Sequence, residues 1–256
     1  GIPSDRNTHL LRFSSPEQLA VETPSQYKKA LADQGIILDP EERLKAIAAQ
    51  VQELSRKVGG HGDVDEALLK EVNNLVESPT ALLGEYEQSH LELPKEVLIS
   101  VMKKHQRYFP VQDKNGALLP YFITIRNGGS QHLEVVKDGN EQVVRARFVD
   151  AAYFIKEDIT KPLEAYIPLL TSLTFQKKLG SMLDKSRRVE ALVQKILITV
   201  EANPEQRATA LRAAQLCKAD LATQMVVEMT SLQGIMGQFY AGRSGESAAV
   251  GEAIFE

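Results

Sequence analysis

Apolar residues recur at helical spacing along much of this chain, with short strand-like runs between the helical stretches. The clearest helix opens at Asp39-Pro40-Glu41-Glu42: Asp as N-cap, Pro at the first helical position, acid in the first turn. Leu44, Ile47, Val51, Leu54 and Val58 make its apolar stripe, and Gly59-Gly60 ends it. Asp63 with Glu66 reads as a capping box for a second helix striped by Leu68, Leu69, Val72, Leu75 and Val76. Before these, residues 1–38 read as an entering strand and a short helix around Tyr27–Gln34. Ala81–Tyr86 reads as a strand, and Pro94 opens a helix with Val97, Leu98, Val101 and Met102 inward. Phe109-Pro110-Val111 and Leu118–Ile125 flank Asp113-Lys114-Asn115-Gly116, a hairpin signal. Arg126-Asn127-Gly128-Gly129 ends the second of these strands. A long helix is predicted from about Asn140 to Asp158, with Val144, Phe148, Ala151, Ala152, Ile155 and Ile159 on one face.

The pattern changes near Lys161-Pro162. Beyond it no strand is predicted. Leu169–Val200 and Glu205–Met229 read as helices, separated at Asn203-Pro204, and Gly234 and Gly237 allow a bend before Phe239-Tyr240. The chain is therefore expected to hold a mixed α/β (α+β) domain over residues 1–165 and an all-α domain over 166–256.

Composition keeps the chain among ordinary globular proteins: 43% apolar and 25% charged in 256 residues. No apolar run approaches the roughly 18 residues of a membrane span. Gly1-Ile2-Pro3-Ser4-Asp5-Arg6 lacks the basic start and apolar core of a signal peptide. The single cysteine, Cys217, rules out an internal disulfide. A cytoplasmic protein is expected.

The net charge of −4 is not that of a generally basic nucleic-acid binder, but the charge is unevenly distributed. The acids gather in the first ninety residues. Lys95, Lys103, Lys104, Arg107, Lys114 and Arg126 face only Glu96 and Asp113 over residues 95–128. Lys177, Lys178, Lys185, Arg187, Arg188 and Lys195 face only Asp184 and Glu190 over residues 171–195. Such patches suit phosphate contact at a few places, and equally suit solvated helix faces.

Catalytic signatures are missing from the sequence: no phosphate-binding loop, dinucleotide fingerprint, zinc-protease helix or nucleophile elbow. His9, His61, His90, His105 and His132 are scattered without metal-ligand spacing. Cys217 beside Leu216 reads as a small buried apolar residue. Lys103-Lys104-His105-Gln106-Arg107-Tyr108-Phe109 is the most suggestive segment. Basic heads beside an aromatic suit phosphate contact and base stacking. The same segment also reads as a helix C-terminus with favourable cations, leading into core aromatics. Glu141 with Arg145, and Arg147 with Asp150, are spaced to pair on one helix. Lys177, Lys178, Lys185 and Arg188 share a broad face if that stretch is helical.

Taken in order, several segments resemble the bacterial and plastid glycyl-tRNA synthetase beta subunit family. They are Asp39–Arg43, Leu69–Pro79 (LKEVNNLVESP), Leu93–Val111 (LPKEVLISVMKKHQRYFPV), Leu118–Asn127 (LLPYFITIRN) and Gly139–Ala151 (GNEQVVRARFVDA). Leu179–Arg188 (LGSMLDKSRR), Cys217–Met229 (CKADLATQMVVEM) and Gln233–Ala241 (QGIMGQFYA) continue the series.

The resemblance implies an internal segment of a longer subunit, lacking a C-terminal anticodon-binding domain. It implies that residues 1–165 are similar to the editing-type domain of the phenylalanyl-tRNA synthetase beta subunit, and that residues 166–256 begin an HD-like helical domain. It also implies an alpha subunit and glycine tRNA as partners in an alpha-2 beta-2 assembly. The whole synthetase uses ATP, and its adenylate chemistry lies in the alpha subunit, so this segment is expected to bind no cofactor and to hold no catalytic residue. The tRNA-binding candidates are Lys103, Lys104, Arg107, Tyr108, Arg126, Lys177, Lys178, Lys185 and Arg188. The HD position falls at Ala219-Asp220, where Ala219 has no ligand atom, so no metal site is expected. Two other readings stay open: a module that docks the alpha subunit without touching tRNA, and an HD-type metal phosphohydrolase.

Overall fold

The computed structural model describes residues 5–12 and 16–255. The opening Gly1-Ile2-Pro3-Ser4, read above for signal-peptide features, lies outside them. The chain divides into two compact units, residues 1–147 and 148–256. Both helices and sheets are present, a mixed α+β chain.

The first unit opens with β1 (Asn7–His9) paired antiparallel to β2 (Gln18–Ala20), then α1 (Pro24–Ala32). α2 (Pro40–Lys57) starts where the sequence marks it: the Asp39 carboxylate accepts the N–H groups of Glu41 and Glu42. After β3 (His61–Gly62) comes α3 (Glu66–Leu75). Its N-cap is Asp65, which accepts the Leu68 N–H at 2.9 Å, instead of the expected Asp63. Asp63 is held elsewhere, 2.7 Å from Lys103. β4 (Pro79–Glu85), α4 (Lys95–Ser100), β5 (Phe109–Gln112) and β6 (Leu118–Asn127) follow.

Strands β3, β5, β6 and β4 form one antiparallel sheet in that order. Side chains alternate across it. Ile123 joins Phe109 and Val111 in a core with Ile47 and Val51 of α2 and Leu68, Leu69 and Val72 of α3. The neighbouring Phe122 points to the opposite face and is also fully buried, stacked on Tyr108 at 4.7 Å. Both faces are therefore covered. Leu75, expected in the α3 stripe, is 58% exposed.

α5 (Leu133–Asp158) begins well before the expected Asn140. Gly139 sits inside the helix, with open space where a Cβ would lie. The division between units falls within α5, whereas the change of pattern in the sequence comes near residue 165. The end of α5 belongs with the later helices because Asp158 is hydrogen-bonded to Gln224, Met225 and Tyr240.

In the second unit the expected Leu169–Val200 helix is replaced by three pieces. A 3-10 stretch, Leu163–Ser172, contains Pro168, which cannot donate to an α-helical ladder. A hairpin of β7 (Thr174–Gln176) and β8 (Gly180–Ser181) follows, turned at Gly180 with φ +83°. α6 (Met182–Thr199) then starts at a capping box in which Ser181 and Asp184 bond reciprocally. α7 (Pro204–Leu216) starts at a second box, Asn203 with Gln206. It ends at Cys217 instead of continuing to Met229, and α8 (Gln224–Glu228) is a separate short helix after a 3-10 turn at Ala219–Ala222. α9 (Ile235–Arg243) and α10 (Ala248–Phe255) complete the unit. Gly234 takes the bend, at φ +80°, while Gly237 lies inside α9. No helix among the described residues is long and apolar enough to cross a membrane.

Candidate nucleic-acid interface

The two basic stretches have different surroundings. In the first, α4 runs into a π-helical turn, Val101–His105, with Val101 and Met102 buried. Lys103 lies 2.7 Å from Asp63 and 3.5 Å from Asp65, with only 18% of its side chain exposed. Arg107 adopts a left-handed φ of +58° and places its Nε 2.5 Å from Glu71. Tyr108 is buried, and its hydroxyl donates to Asn140 at 2.5 Å. Burial pushes that hydroxyl up to about 12. Arg126 is half-buried and donates to the Gln131 carbonyl. Lys104 and His105 remain exposed. Lys103 and Arg107 are thus matched by carboxylates, and the aromatic ring is part of the core.

Of the expected pairings on α5, Arg147 and Asp150 form no ion pair among the described residues, and Glu141 and Arg145 have other partners. Arg145 meets Glu87 at 2.7 Å. Glu141 accepts the Glu85 N–H at 2.9 Å and lies 3.6 Å from Lys137.

In the second stretch Lys177 and Lys178 sit in the β7–β8 turn and not on a helix. The Gln176 side-chain oxygen accepts the N–H groups of Lys178 and Leu179, which tightens the turn. Lys185 on α6 reaches back to place Nζ 4.2 Å from the centre of the Phe175 ring. The Arg188 guanidinium lies 5.9 Å from the same ring and donates to the Leu179 carbonyl at 2.9 Å. Arg187 is exposed beside them. Among the described residues none of Lys177, Lys178, Lys185, Arg187 and Arg188 forms an ion pair with a carboxylate. Asp184, the nearest acid in sequence, is occupied by the N–H and hydroxyl of Ser181. The hairpin and the start of α6 thus carry positive charge that no ion pair neutralises, with Asp184 the acid that interacts electrostatically with Arg187 and Arg188.

Two buried carboxylates organise the helices of the second unit. Asp220 is fully buried, and its Oδ2 accepts the N–H groups of Gly234 and Gly237 at the start of α9, at 2.6 and 3.2 Å. Its Oδ1 has no hydrogen-bond partner among the described residues. Its neighbour Ala219 is fully buried. Among the described residues no group of three or more His, Cys, Asp or Glu could hold a metal ion. Asp158 is the second carboxylate. Its Oδ1 accepts Gln224 N–H at 2.8 Å, and its Oδ2 accepts Met225 N–H at 3.0 Å and the Tyr240 hydroxyl at 2.7 Å. Sequence reading overlooked Asp158. The signal was there: it falls three residues after Ile155, on the apolar stripe. Cys217 is partly buried, and burial pushes its thiol up, in keeping with a small apolar role.

Burial also pushes the Asp220 carboxyl up. For a raised folded pKa, the contribution to stability is present below the unfolded value and is lost as pH rises through the folded one. Stability should therefore fall with rising pH above about 3.8 on account of this group. Asp220→Asn keeps an oxygen for Gly234 and Gly237 and cannot ionise. Urea denaturation across pH should show a flatter profile for the variant above the unfolded-state value. An unchanged slope would remove Asp220 as the source.

The chain has clear relatives among known proteins. A family model described as glycyl-tRNA synthetase beta subunit matches residues 1–256. The glycine–tRNA ligase beta subunit of Bacillus subtilis (strain 168) is 45% identical over 255 residues, covering 100% of this chain and 37% of the relative. The protein of the same name from Desulforamulus reducens is 44% identical over 255 residues, with the same two coverages. That of Synechocystis sp. is 44% identical over 255 residues, 100% of this chain and 35% of the relative. All fall in one class, the subunits of aminoacyl-tRNA synthetases. Within it, the chain belongs to the glycyl-tRNA synthetase beta subunit family. It spans little more than a third of the length of the relatives it matches.

Proposed function

We propose that this chain serves the ATP-dependent attachment of glycine to its tRNA as a non-catalytic part of the beta subunit of glycine–tRNA ligase. Its contribution is tRNA binding and assembly with the alpha subunit in the cytoplasm. Residues 1–165 act as the editing-type domain of the subunit. Residues from 166 on begin an HD-like domain whose ligand pair is lost. The engagement of Asp220 with Gly234 and Gly237 supports this, because its Oδ2 is committed to capping α9.

The observation that carries the tRNA reading is the charge of the β7–β8 hairpin and α6, which no ion pair neutralises. Lys177, Lys178 and Arg187 are exposed there, and Lys185 and Arg188 flank Phe175. Phosphate contact favours cations not tied up in ion pairs, and these form none, whereas Lys103 and Arg107 do. Titration of glycine tRNA over a salt series tests it. Affinity should fall as salt rises. K177A/K178A/R187A should weaken binding and lower the log–log slope by about one for each phosphate that is no longer neutralised. K103A/R107A should leave tRNA affinity nearly unchanged and reduce stability instead. Salt-independent binding, or an unaltered slope in the triple variant, would sink the assignment.

The reading as an alpha-subunit docking module without tRNA contact has one observation in its favour. Leu192, Ile196, Ile198 and Val200 of the α6 region are exposed apolar residues. Capture of the alpha subunit by this chain, without any tRNA affinity, would favour it.

A further inference from the structure

The second unit holds a cavity of about 280 Å³ between the end of α5, the 3-10 stretch and α9. Asp158, Lys161, Tyr166, Tyr240, Arg243 and Ser244 are among its lining residues. Most of the polar groups there are already spent on one another. Both tyrosine hydroxyls are bonded to Asp158. Ser244 Oγ accepts the Leu163 N–H at 2.8 Å and donates to the Tyr240 carbonyl at 2.7 Å. Thr160 donates to the Glu157 carbonyl. The Asp158 carboxylate takes two backbone N–H groups besides the hydroxyls.

Lys161 and Arg243 differ from the rest. Among the described residues neither forms an ion pair or a side-chain hydrogen bond, and both are exposed at the mouth. Each instead rests on an aromatic ring. Lys161 Nζ lies 4.1 Å from the centre of Tyr166, and the Arg243 guanidinium 5.3 Å from that of Phe239. A ring face holds a cation in place without cancelling its charge. The contrast with Arg212 is direct: that side chain is neutralised by Glu164 and Glu246. The cavity is smaller than sites for drug-sized ligands, so the group it receives is compact. We infer that this cavity is a binding site for a phosphate group, held by Lys161 as a point charge and by Arg243 as a two-pronged donor.

This site is separate from the β7–β8 hairpin and does not depend on that tRNA assignment. Inorganic phosphate is the first probe, titrated into the whole chain and followed by NMR, with acetate and chloride at matched ionic strength as controls. Saturable shifts are expected at residues 158–166 and 240–244. K161A/R243A should weaken phosphate binding by about tenfold or more. K161R should retain it, and K177A/K178A should leave it intact. The two alanine replacements are on exposed side chains, and thermal melting verifies that the fold persists. A 5′-mononucleotide and an RNA oligonucleotide without terminal phosphate are then tested as competitors. Competition by the nucleotide alone assigns the site to a free phosphate ester, and competition by the RNA assigns it to a backbone phosphodiester. Shifts that acetate reproduces, equal binding by K161A/R243A, or competition by neither ligand would overturn the inference. None of those results touches the hairpin titration.

Discussion

Replacing Asp158 with alanine is expected to cost the second unit about 3–5 kcal/mol, enough to consume much of the stability of an ordinary domain. Asp158 is 2% exposed, and its carboxylate collects donors from two separate elements, α8 and α9. Removing it leaves the N–H groups at the start of α8 and the buried Tyr240 hydroxyl with no acceptor, and each unsatisfied group costs about 1–3 kcal/mol. Asp158→Asn preserves volume but turns one acceptor into a donor facing N–H groups, so a smaller loss of about 1–3 kcal/mol is expected. Tyr240→Phe removes only one bond and should cost less than either. Hydrogen exchange locates the effect. In D158A, protection should fall across Gln224–Tyr240 while β4 and β6 of the first unit keep theirs. Loss of protection confined to the end of α5 would show that the bonds to Asp158 do not hold α8 and α9.

This carboxylate also shows where sequence reading stops. An acid on an apolar stripe is visible, but its partners in α8 and α9 lie 66 to 82 residues away and no local pattern names them. Local signals did carry through. Asp39-Pro40, Asn203-Pro204 and Asp113–Gly116 each specify their cap or turn by short-range hydrogen bonds, and each forms where expected. The stretch from Leu169 to Ser181 did not carry through. Its apolar residues suit a helix by spacing, but Leu169–Ser172 continue a 3-10 stretch begun at Leu163 and Gly180 supplies the left-handed turn of a hairpin. The capping box at Ser181-Asp184 is written in the sequence, yet the apolar spacing around it masks the helix start. For the basic clusters, sequence identifies the charge but not its counter-charge. Lys103 and Arg107 meet Asp63 and Glu71 only through tertiary folding, whereas the hairpin cations form no ion pair among the described residues.

In the first unit the largest expected effect of one added side chain is at Gly84. It sits on β4 directly opposite Phe122 on β6. A Cβ there would lie 2.3 Å from Phe122 Cζ and within 2.8 Å of both Cε atoms. The strand glycine therefore makes room for a ring that lies across it. The ring has little freedom to retreat, because Phe122 is fully buried and stacked on Tyr108 at 4.7 Å. Gly84→Ala should cost about 1–3 kcal/mol through overpacking, and Gly84→Val more. The β6 register should persist, since Ile123 still belongs to the core on the opposite face. A double-variant cycle in urea decides whether this close approach is the cause. F122L shortens the side chain and should itself be destabilising, but in its presence the cost of G84A should shrink markedly. Two strictly additive losses would mean that Gly84 answers to the strand backbone and not to the Phe122 ring.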